Sequence, residues 1–591
     1  MRCSLGRCGP GSHEPGTAPA LAIDSTSKAL NAAASVPTPT WDSDISKLFS
    51  APYWLPESSR YIVGSGWINA MKNYGPWDLS SYTTVKDETP KIYQHLRSRS
   101  MPLTDDPSHY FPVEALEMIR SWANQGYRKN DQDEIILQKV IGKPEESKVK
   151  YRVRKDIRSL TQEELQTYRE KLDTVLNAGD AKGKWQELGI LHANWCLHYQ
   201  EATFLWHRAF LCYVEELIDY PIPYWNALCS EATDPASPFS GLPAEFLEDT
   251  YTHSSLGLRK NPLKYALLSG VVSTPRYVMR DPVLVSRTPG LEWDRKICLF
   301  GLYQSQIELA LRQDVFSQPM DALRPFGKPW ANLSILTENL DDKFFPNRTD
   351  FDGLLEQPHD NIHGWTGPDM ADGSHTAFDP IFLSFHSNID RIVEFYIRSR
   401  PGLTFTATYP LRPFIDNARN LGYDESRQWM YTTIGDMVKD SKSLGYVFAP
   451  PASPDQVSLT NPPKQTDIVV PSVVFRGVGC NVVSYHIDVF TPDATSLVPD
   501  PVRNPDYIGR DTRIGMGRGS KETGLQNTDR CVKKPVTRTL NAERWEVVLR
   551  KEGEKGLRQV VVEMETGREV PEKEWSELSG FRAEIKWGRR L

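Results

Sequence analysis

The sequence lacks the features that mark membrane, nucleic-acid-binding and disulfide-rich proteins. Its 8 cysteines are scattered among 591 residues without the spacing of a disulfide framework. No apolar run approaches the roughly 18 residues that a membrane-spanning helix needs, and MRCSLGRCGPGSHEPGTAPALAIDS contains no apolar segment of signal-peptide length. No basic stripe indicates nucleic acid, and the net charge of -7 is ordinary for a globular protein. We therefore expect a cytoplasmic protein with neither a nucleic-acid nor a membrane partner.

Histidine is also scarce, yet most of it is concentrated in two short windows. The chain has 12 histidines, and two groups of three lie in residues 191–208 and 359–391. The two groups are His192, His198 and His207, and His359, His363 and His386. Neutral imidazole is a natural ligand of copper, zinc, iron and nickel. Two groups of three nitrogen ligands predict two metal ions, with space between them for a substrate or a diatomic gas.

The spacing of these histidines predicts where each one lies on a helix. His359 and His363 are one helical turn apart and share a face, and SFHSNIDRIVEFYIR supplies a second amphipathic helix for His386. His198 and His207 would lie on opposite faces of one continuous helix. We therefore place His207 on the helix WHRAFLCYVEELI, His198 in an irregular segment before it, and His192 at the end of the preceding helix.

Several motifs around these histidines match a known family. The sequences FLWHRAFLCYVEEL, PIPYWN, HDNIH, FDPIF and HSNIDR resemble the two metal-binding motifs of the tyrosinase, catechol oxidase and hemocyanin superfamily. These are binuclear type 3 copper proteins. The resemblance covers about residues 185–450 and includes Asp390 and Arg391 directly after the last histidine motif. It implies that the six histidines bind two copper ions.

The resemblance also implies an activity and roles for three further residues. A copper-dependent oxidase would convert an o-diphenol, or a related phenolic secondary metabolite, to an o-quinone with dioxygen. Cys196 lies two residues before His198, the Cys-x-His arrangement that forms a thioether with the second histidine of the first copper site in many fungal tyrosinases. Glu356 or Asp360 would take the phenolic proton as a general base.

Some positions depart from the family pattern. The step from His192 to His198 is shorter than in many tyrosinases. Phe385 stands where most tyrosinases have a second histidine directly before the last ligand. Asp360 follows the first histidine of the second site, where efficient monophenol hydroxylases often carry asparagine. These departures favour oxidation of an o-diphenol over hydroxylation of a monophenol.

Three other functions remain open. The first is a non-oxidative, zinc-dependent enzyme like the cyclopenases, hemocyanin-like proteins of fungal quinolone alkaloid pathways that promote a ring contraction; its substrate would be an alkaloid. The second is an oxygen carrier, which needs the same six histidines. The third is a non-catalytic interaction protein, against which six intact ligands argue.

Nearby carboxylates and arginines also have two interpretations. Asp379 and Asp390 either hydrogen-bond the ligand imidazoles or cap helices. Arg208 and Arg391 are interpreted as buried ion-pair partners, and His375 as a residue of a loop.

Composition and periodicity predict a mainly α protein with a β region at its C-terminus. We expect a disordered tail over residues 1–40 and an N-terminal helical region over 41–184. For residues 185–450, the family resemblance implies a tyrosinase-like four-helix-bundle metal domain. Residues 465–591 predict a β-sandwich-like domain, with strands in IVVPSVVFRGVGC, NVVSYHIDVFT, RWEVVLRKEG, LRQVVVEMETG and FRAEIKWGRRL. Such a domain covers the active site until cleavage in several fungal and plant relatives; here we expect it to stay docked, because nothing marks a processing site.

Overall fold

The protein is described by a computed structural model. The structure describes residues 38–49, 78–97, 111, 113–137, 151–176, 183–196, 198, 203–316, 350–400, 403, 414, 434–455, 469–479, 481–515, 517, 536–552, 556–578 and 582–589. The chain divides into two compact units, Met1–Glu145 with Tyr423–Met430, and Glu146–Gly422 with Tyr431–Leu591. The tail predicted over residues 1–40 lies, up to residue 37, outside the described residues.

The first unit is helical around an aromatic core. Its helices are α1 (Ser46–Phe49), α2 (Tyr82–Arg97) and α3 (Val113–Asn124), with one π-helical turn over Trp41–Ile45 leading into α1. Trp122 on α3 is fully buried, and its indole Nε1 donates to the Arg128 carbonyl at 2.8 Å. Trp41 lies against Trp122 with ring centroids 6.0 Å apart. The helices predicted for this part of the chain are present where the structure describes it.

The second unit combines a helical bundle with small strands. Its helices before the C-terminal region are α4 (Gln162–Leu176), α5 (Lys184–Trp195), α6 (Thr203–Ile218), α7 (Pro282–Ser286), α8 (Leu291–Cys298), α9 (Phe300–Leu311), α10 (Phe351–Thr366) and α11 (Pro380–Arg398). Its short strands are β1 (Arg152–Arg154), β2 (Thr250–His253), β3 (Gly257–Lys260), β4 (Leu267–Leu268), β5 (Arg276–Tyr277) and β6 (Tyr446–Phe448). Strand β1 pairs with β6 in parallel, whereas β2–β3 and β4–β5 are antiparallel pairs. Among the described helices, none combines the length and the apolar composition needed to cross a bilayer.

The two helices that carry the second histidine group begin and end at identifiable residues. Asp350 caps α10 by accepting from the Gly353 backbone N–H at 2.7 Å. The helix ends at Gly367, whose φ of +75° strongly favours glycine. Helix α11 begins with Pro380 in its first turn, and Asp379 caps it by accepting from the Ile381 N–H at 3.0 Å. Both helices are almost completely buried, so side chains from every face contact protein.

The C-terminal region is a sandwich of two three-stranded antiparallel sheets. Its elements are β7 (Val469–Val478), β8 (Tyr485–Phe490), β9 (Tyr507–Arg513), β10 (Val536–Asn541), α12 (Glu546–Glu552), β11 (Arg558–Glu563) and β12 (Arg582–Arg589). The strand orders are β10–β7–β12 and β11–β8–β9. One core shared by Val473, Phe475, Ile487, Ile508 and Val561 lies among these strands. The predicted mainly α class with a C-terminal β-sandwich-like region is therefore confirmed.

One predicted strand is wrong. RWEVVLRKEG forms a turn of 3-10 helix and α12 instead of a strand. Trp545 and Leu549 are buried and four residues apart, while Val547 is 81% exposed. An i, i+4 pair of buried residues is the helical period, and Glu546 with Arg550 forms an i, i+4 ion pair on the exposed side. The adjacent valines have high β-propensity, but tertiary burial decides the outcome.

The C-terminal sheets lie across α10. The Gln357 and Asn361 side-chain amides both donate to the Arg510 carbonyl of β9, at 2.6 and 3.0 Å. A Cβ added to Gly364 would lie 2.9 Å from Met564 Cε and 3.0 Å from Thr512 Cγ2. Glycine at this position therefore allows the C-terminal region to approach the helix that carries His359 and His363.

Candidate metal centre

The second histidine group converges between α10 and α11. His359 and His363 lie one turn apart on α10, and His386 projects from α11. The Nε2 atom of His359 is 3.0 Å from Nε2 of His386 and 3.1 Å from Nε2 of His363. The one-turn spacing and the second helix are as the sequence predicts.

Each imidazole of this group is oriented through its other ring nitrogen. His363 Nδ1 donates to the Met370 carbonyl at 2.8 Å, and His386 Nδ1 donates to the Phe382 carbonyl at 2.9 Å. His359 Nδ1 donates to the Asp360 carboxylate at 2.9 Å. A proton on Nδ1 leaves the Nε2 lone pair available, so all three acceptor nitrogens face one point.

The first group draws its members from two helices and a turn. His192 lies on α5, His207 lies on α6, and His198 lies in a turn between them. His192 Nε2 is 3.3 Å from His207 Nε2, and His207 Nδ1 donates to the Thr203 carbonyl at 2.8 Å. Gly189 on α5 lets the Phe378 ring approach the helix, because an added Cβ would collide with it. His198 thus lies outside α6, the helix that carries His207, as the predicted opposite faces require.

The two groups form one continuous cluster. The His207 and His386 rings stack with centroids 4.5 Å apart. The His198 and His359 rings are 5.2 Å apart. Phe382 lies against the cluster, with its centroid 3.9 Å from the His386 ring and 4.7 Å from the His192 ring. Two ions held by these groups would therefore be neighbours.

Burial keeps these imidazoles neutral. Burial lowers the pKa of His207 to about 4 and that of His363 to about 3. Burial also places the pKa values of His359 and His386 well below the usual range. Neutral imidazole is the form that binds a metal, so these four histidines offer unprotonated ring nitrogens at neutral pH.

The donor atoms fit two metal ions. Each group has at least two Nε2 atoms 3.0–3.3 Å apart, and imidazole nitrogens lie about 2.0–2.1 Å from a zinc ion. Two nitrogens at that separation can therefore bind one ion without moving far. A set made of imidazoles suits copper and zinc alike, so the ligands alone do not choose between them.

Carboxylates border the cluster and meet an arginine that the sequence did not suggest. Glu356 Oε1 is 3.6 Å from His198 Nδ1, and Asp360 is the residue that orients His359. Arg538, on β10, donates from Nη2 to Asp360 Oδ2 at 2.7 Å. Its Nε lies 3.4 Å from Asp511 Oδ1. No pattern in the sequence connects Arg538 to histidines about 180 residues away, so only the fold could reveal it.

Cys196 lies beside the first group. It caps the C-terminal end of α5, and its Sγ atom is 3.9 Å from His207 Nε2. Together with the three histidines it forms a set that can hold a metal ion. The thioether with His198 stays a prediction. Phe385, at the position where the family usually has histidine, lies 5.1 Å from the His363 and His386 ring centroids and closes the apolar side of the second group.

The remaining polar residues have structural roles. Asp379 caps α11 and pairs with Arg280 at 2.7 Å, which favours the capping interpretation. Asp390 lies in a buried network that includes Arg208, Arg154 and the Tyr446 hydroxyl. The network also includes an ion pair between Arg208 and Glu394, and elsewhere Arg391 pairs with Asp455. Arg208 and Arg391 are therefore the buried ion-pair partners that the sequence predicts.

His375 belongs to a separate loop cluster. Its Nδ1 atom is 3.2 Å from Asp369 Oδ1, and Asp369 also pairs with Arg276 at 2.6 Å. This histidine anchors the loop that precedes α11.

Comparison with known proteins identifies the family. Residues 180–399 match the domain described as the common central domain of tyrosinase. A hemocyanin of the G type from Enteroctopus dofleini is 27% identical over 266 residues, which are 41% of this chain and 8% of that protein. The latent chloroplastic polyphenol oxidase of Prunus armeniaca is 25% identical over 290 residues, which are 46% of this chain and 41% of that protein.

A solved structure of a tyrosinase from Burkholderia thailandensis aligns with 74% of this chain and all of its own, at 14% identity and a TM-score of 0.49. The chain spans only part of the curated relatives it matches, from 6% of a Megathura crenulata hemocyanin to 63% of a shorter hemocyanin chain. The matched domain contains all six histidines. Residues 180–399 are therefore a tyrosinase-type central domain, and the curated relatives of the chain include hemocyanins and polyphenol oxidases.

Proposed function

We propose that this chain is a copper-dependent oxidase that converts an o-diphenol, or a related phenolic metabolite, to an o-quinone with dioxygen. The observation that carries this proposal is the convergence of two three-histidine groups on one buried cluster. His192, His198 and His207 would hold one copper, and His359, His363 and His386 the other. A bound copper pair would supply two-electron redox chemistry at this site: two diphenols would each give up two electrons and two protons to become quinones, and one dioxygen would be reduced to two waters.

The chain's own residues supply orientation, an apolar environment and proton transfer. The carbonyls of Thr203, Met370 and Phe382 fix the imidazole tautomers, so that the Nε2 atoms stay directed inward. Phe382 and Phe385 pack against the histidine rings and exclude water from that side. An apolar wall of this kind suits the flat ring of a phenol.

Of the two carboxylates, Glu356 is the better placed general base. Asp360 accepts from His359 with one oxygen and from Arg538 with the other. An acid held by two such donors orients an imidazole more readily than it takes up a proton. Glu356 Oε1 lies 3.4 Å from the Thr203 hydroxyl and 3.6 Å from His198. We therefore assign the phenolic proton to Glu356 and an orienting role to Asp360.

The test is elemental analysis of purified protein followed by oxidation assays. About two coppers per chain, an oxygen-dependent absorption band and production of a quinone from a catechol are the expected results. Glu356→Gln should retain both coppers and lose most of the turnover, by about 10²–10⁴-fold if it acts as a base. Copper without any turnover of catechols or aminophenols would contradict the oxidase and favour an oxygen carrier.

A second candidate is a non-oxidative zinc enzyme, such as a cyclopenase-like catalyst of alkaloid ring contraction. The observation that favours it is a third ligand set in which His198 and His359 combine with the Asp360 carboxylate. Zinc accepts mixed nitrogen and oxygen ligands, whereas copper(I) prefers softer donors. Zinc retained by protein from cells supplied with both metals, with no oxygen-dependent band, would support this candidate over the oxidase.

A further inference from the structure

Arg538 connects the C-terminal β region to the carboxylates of the metal centre. Its Nη2 donates to Asp360 Oδ2 at 2.7 Å, and its Nη1 lies 3.9 Å from Glu356 Oε2. Its Nε is 3.4 Å from Asp511 Oδ1, on the neighbouring β9. One guanidinium therefore faces three carboxylates, two from α10 and one from the C-terminal region.

The strand that carries Arg538 is fixed in place on both sides. The Gln306 amide on α9 donates to the Thr539 carbonyl at 2.9 Å, and its oxygen accepts from the Asn541 N–H at 2.9 Å. Strand β10 also pairs with β7 across Arg538, opposite Phe475. The position of Arg538 is therefore set by the backbone around it and not by its ion pairs alone.

All four charged groups are removed from water. The side chain of Arg538 is 4% exposed, and those of Glu356, Asp360 and Asp511 are 2%, 0% and 0% exposed. A buried carboxylate without a cation nearby is strongly destabilising, because it loses its hydration without compensation. These carboxylates consequently need positive charge nearby. The Arg538 guanidinium supplies it, Arg513 adds to it at Asp511, and a bound metal ion would add more.

The carboxylates of α10 are also within reach of the metal ligands. An Asp360 oxygen lies within 4.8 Å of ring nitrogens of both His198 and His359. Glu356 Oε1 is 3.6 Å from His198 Nδ1. Either group could enter a metal's ligand set through a side-chain rotation, unless something holds it away.

We propose that Arg538 is a positioning residue that keeps Asp360 and Glu356 out of the ligand set and so preserves a centre of imidazoles alone. The guanidinium contacts Asp360 Oδ2 and Glu356 Oε2, while the other oxygen of each carboxylate faces a histidine. This arrangement selects for copper against harder metals that accept oxygen ligands. The C-terminal β region is then an integral part of the centre. This inference rests on the proposed binding of two metal ions by the six histidines.

The test compares wild-type protein with Arg538→Met. Both are stripped of metal, checked for folding by circular dichroism, and titrated in competition with copper(I), zinc(II) and manganese(II). In the variant we expect the affinities for zinc and manganese, relative to copper(I), to rise by about 10-fold or more, the scale on which groups around metal ligands alter affinity. The cobalt(II) derivative should change its visible spectrum as oxygen ligands are added.

Thermal unfolding gives a second readout. In Arg538→Met, the metal ion takes over the role of counter-ion, so zinc should raise the melting temperature by more than it does in the wild type. A purely structural arginine would lower the melting temperature equally with and without metal. Arg538→Lys, which keeps the charge, should restore the wild-type preference for copper. If Arg538→Met does not fold, Arg538→Gln carries the same test, since it removes the charge and keeps a side-chain amide donor.

Arg510→Met is the matched control. Arg510 lies on β9, and its side chain pairs with Asp488 at 2.8 Å and not with the carboxylates of α10. We expect this variant to lose stability and to keep the wild-type metal preference. If folded Arg538→Met or Arg538→Gln keeps the wild-type metal preference and cobalt spectrum, this inference is overturned but the proposed function is not. Wild-type protein that binds no metal would instead overturn the proposed function.

Discussion

The two histidine groups use the same residue type but are built on different supports. The second group lies entirely on α10 and α11, and each of its imidazoles donates from Nδ1 to a carbonyl or carboxylate. The first group takes His198 from a turn between α5 and α6. His198 is 9% exposed, whereas the other five histidines of the two groups are at most 2% exposed. Two rigid helices therefore preorganise one site, and a turn completes the other.

This structural difference predicts that the two sites bind their metal ions with different affinities and release rates. A ligand on a buried helix keeps its position without the metal, so binding costs little conformational entropy. A ligand in a turn must be ordered when the metal binds. We therefore expect the second group to bind its ion more tightly and to release it more slowly than the first group.

The largest effect should follow from removing two ligands of the second group together. His359→Ala with His363→Ala leaves His386 as the group's one remaining histidine, so its ion should be lost and the metal content should fall by about half. Elemental analysis of the folded variant measures this. His375→Ala is the control, since His375 lies in the same window but pairs with Asp369, and it should keep both ions. Full retention of metal in the double variant would remove the ligand assignment.

The next effect is a difference in the release rate of the two ions. One variant retains only the second site (His192→Ala with His207→Ala), and the other retains only the first (His359→Ala with His363→Ala). Exposed to a chelator, the protein with only the first site should lose its ion about tenfold faster, a modest difference on the scale of second-sphere effects. Stopped-flow or timed elemental analysis provides the rates. Equal rates would show that the turn is as well ordered as the helices.

A smaller effect is expected at Asp360. Asp360→Asn keeps an oxygen that can accept from His359 Nδ1 but removes the charge that faces Arg538. Glu356 and Asp511 stay near the guanidinium, so the loss of stability should be below the roughly 3–5 kcal/mol of a fully broken buried ion pair. Denaturant unfolding of the metal-free protein measures this loss. Asp360→Ala also removes the oxygen that accepts from His359 Nδ1, so it should lower the metal affinity of the second site more than Asp360→Asn does.

The helices that carry the histidine groups could be predicted, because the spacing that defines a helix face involves only residues close together in the sequence. The four-residue step from His359 to His363 and the nine-residue step from His198 to His207 fix faces of a helix from sequence alone. RWEVVLRKEG was predicted wrongly because its adjacent valines suggest a strand, whereas its burial depends on a core formed by distant strands. Tertiary packing therefore determines the helix in this segment, against the local β-propensity of its valines.

The supporting residues could not be predicted in the same way. Arg538 and Asp511 reach the centre only because β9 and β10 cross α10, and neither strand was among those predicted. The family motifs indicate the six ligands but carry no information on a charge supplied from the C-terminal region. Contacts between elements far apart in sequence are set by how the sheets dock, which a single sequence does not reveal.

The smallest effect concerns Cys196, at the end of α5. If its sulfur forms a thioether with His198, the peptide containing both residues should be lighter by two hydrogen atoms and resistant to alkylation. The link would fix the one ligand that lies in a turn, so Cys196→Ala should speed metal release from the first site while leaving the second site unchanged. The cost in folding stability should be about 1 kcal/mol, typical of a modest buried substitution. Mass spectrometry tests for the thioether. An alkylated Cys196 would show that no covalent bond holds His198, and the difference in metal release rate between the two groups should then be largest.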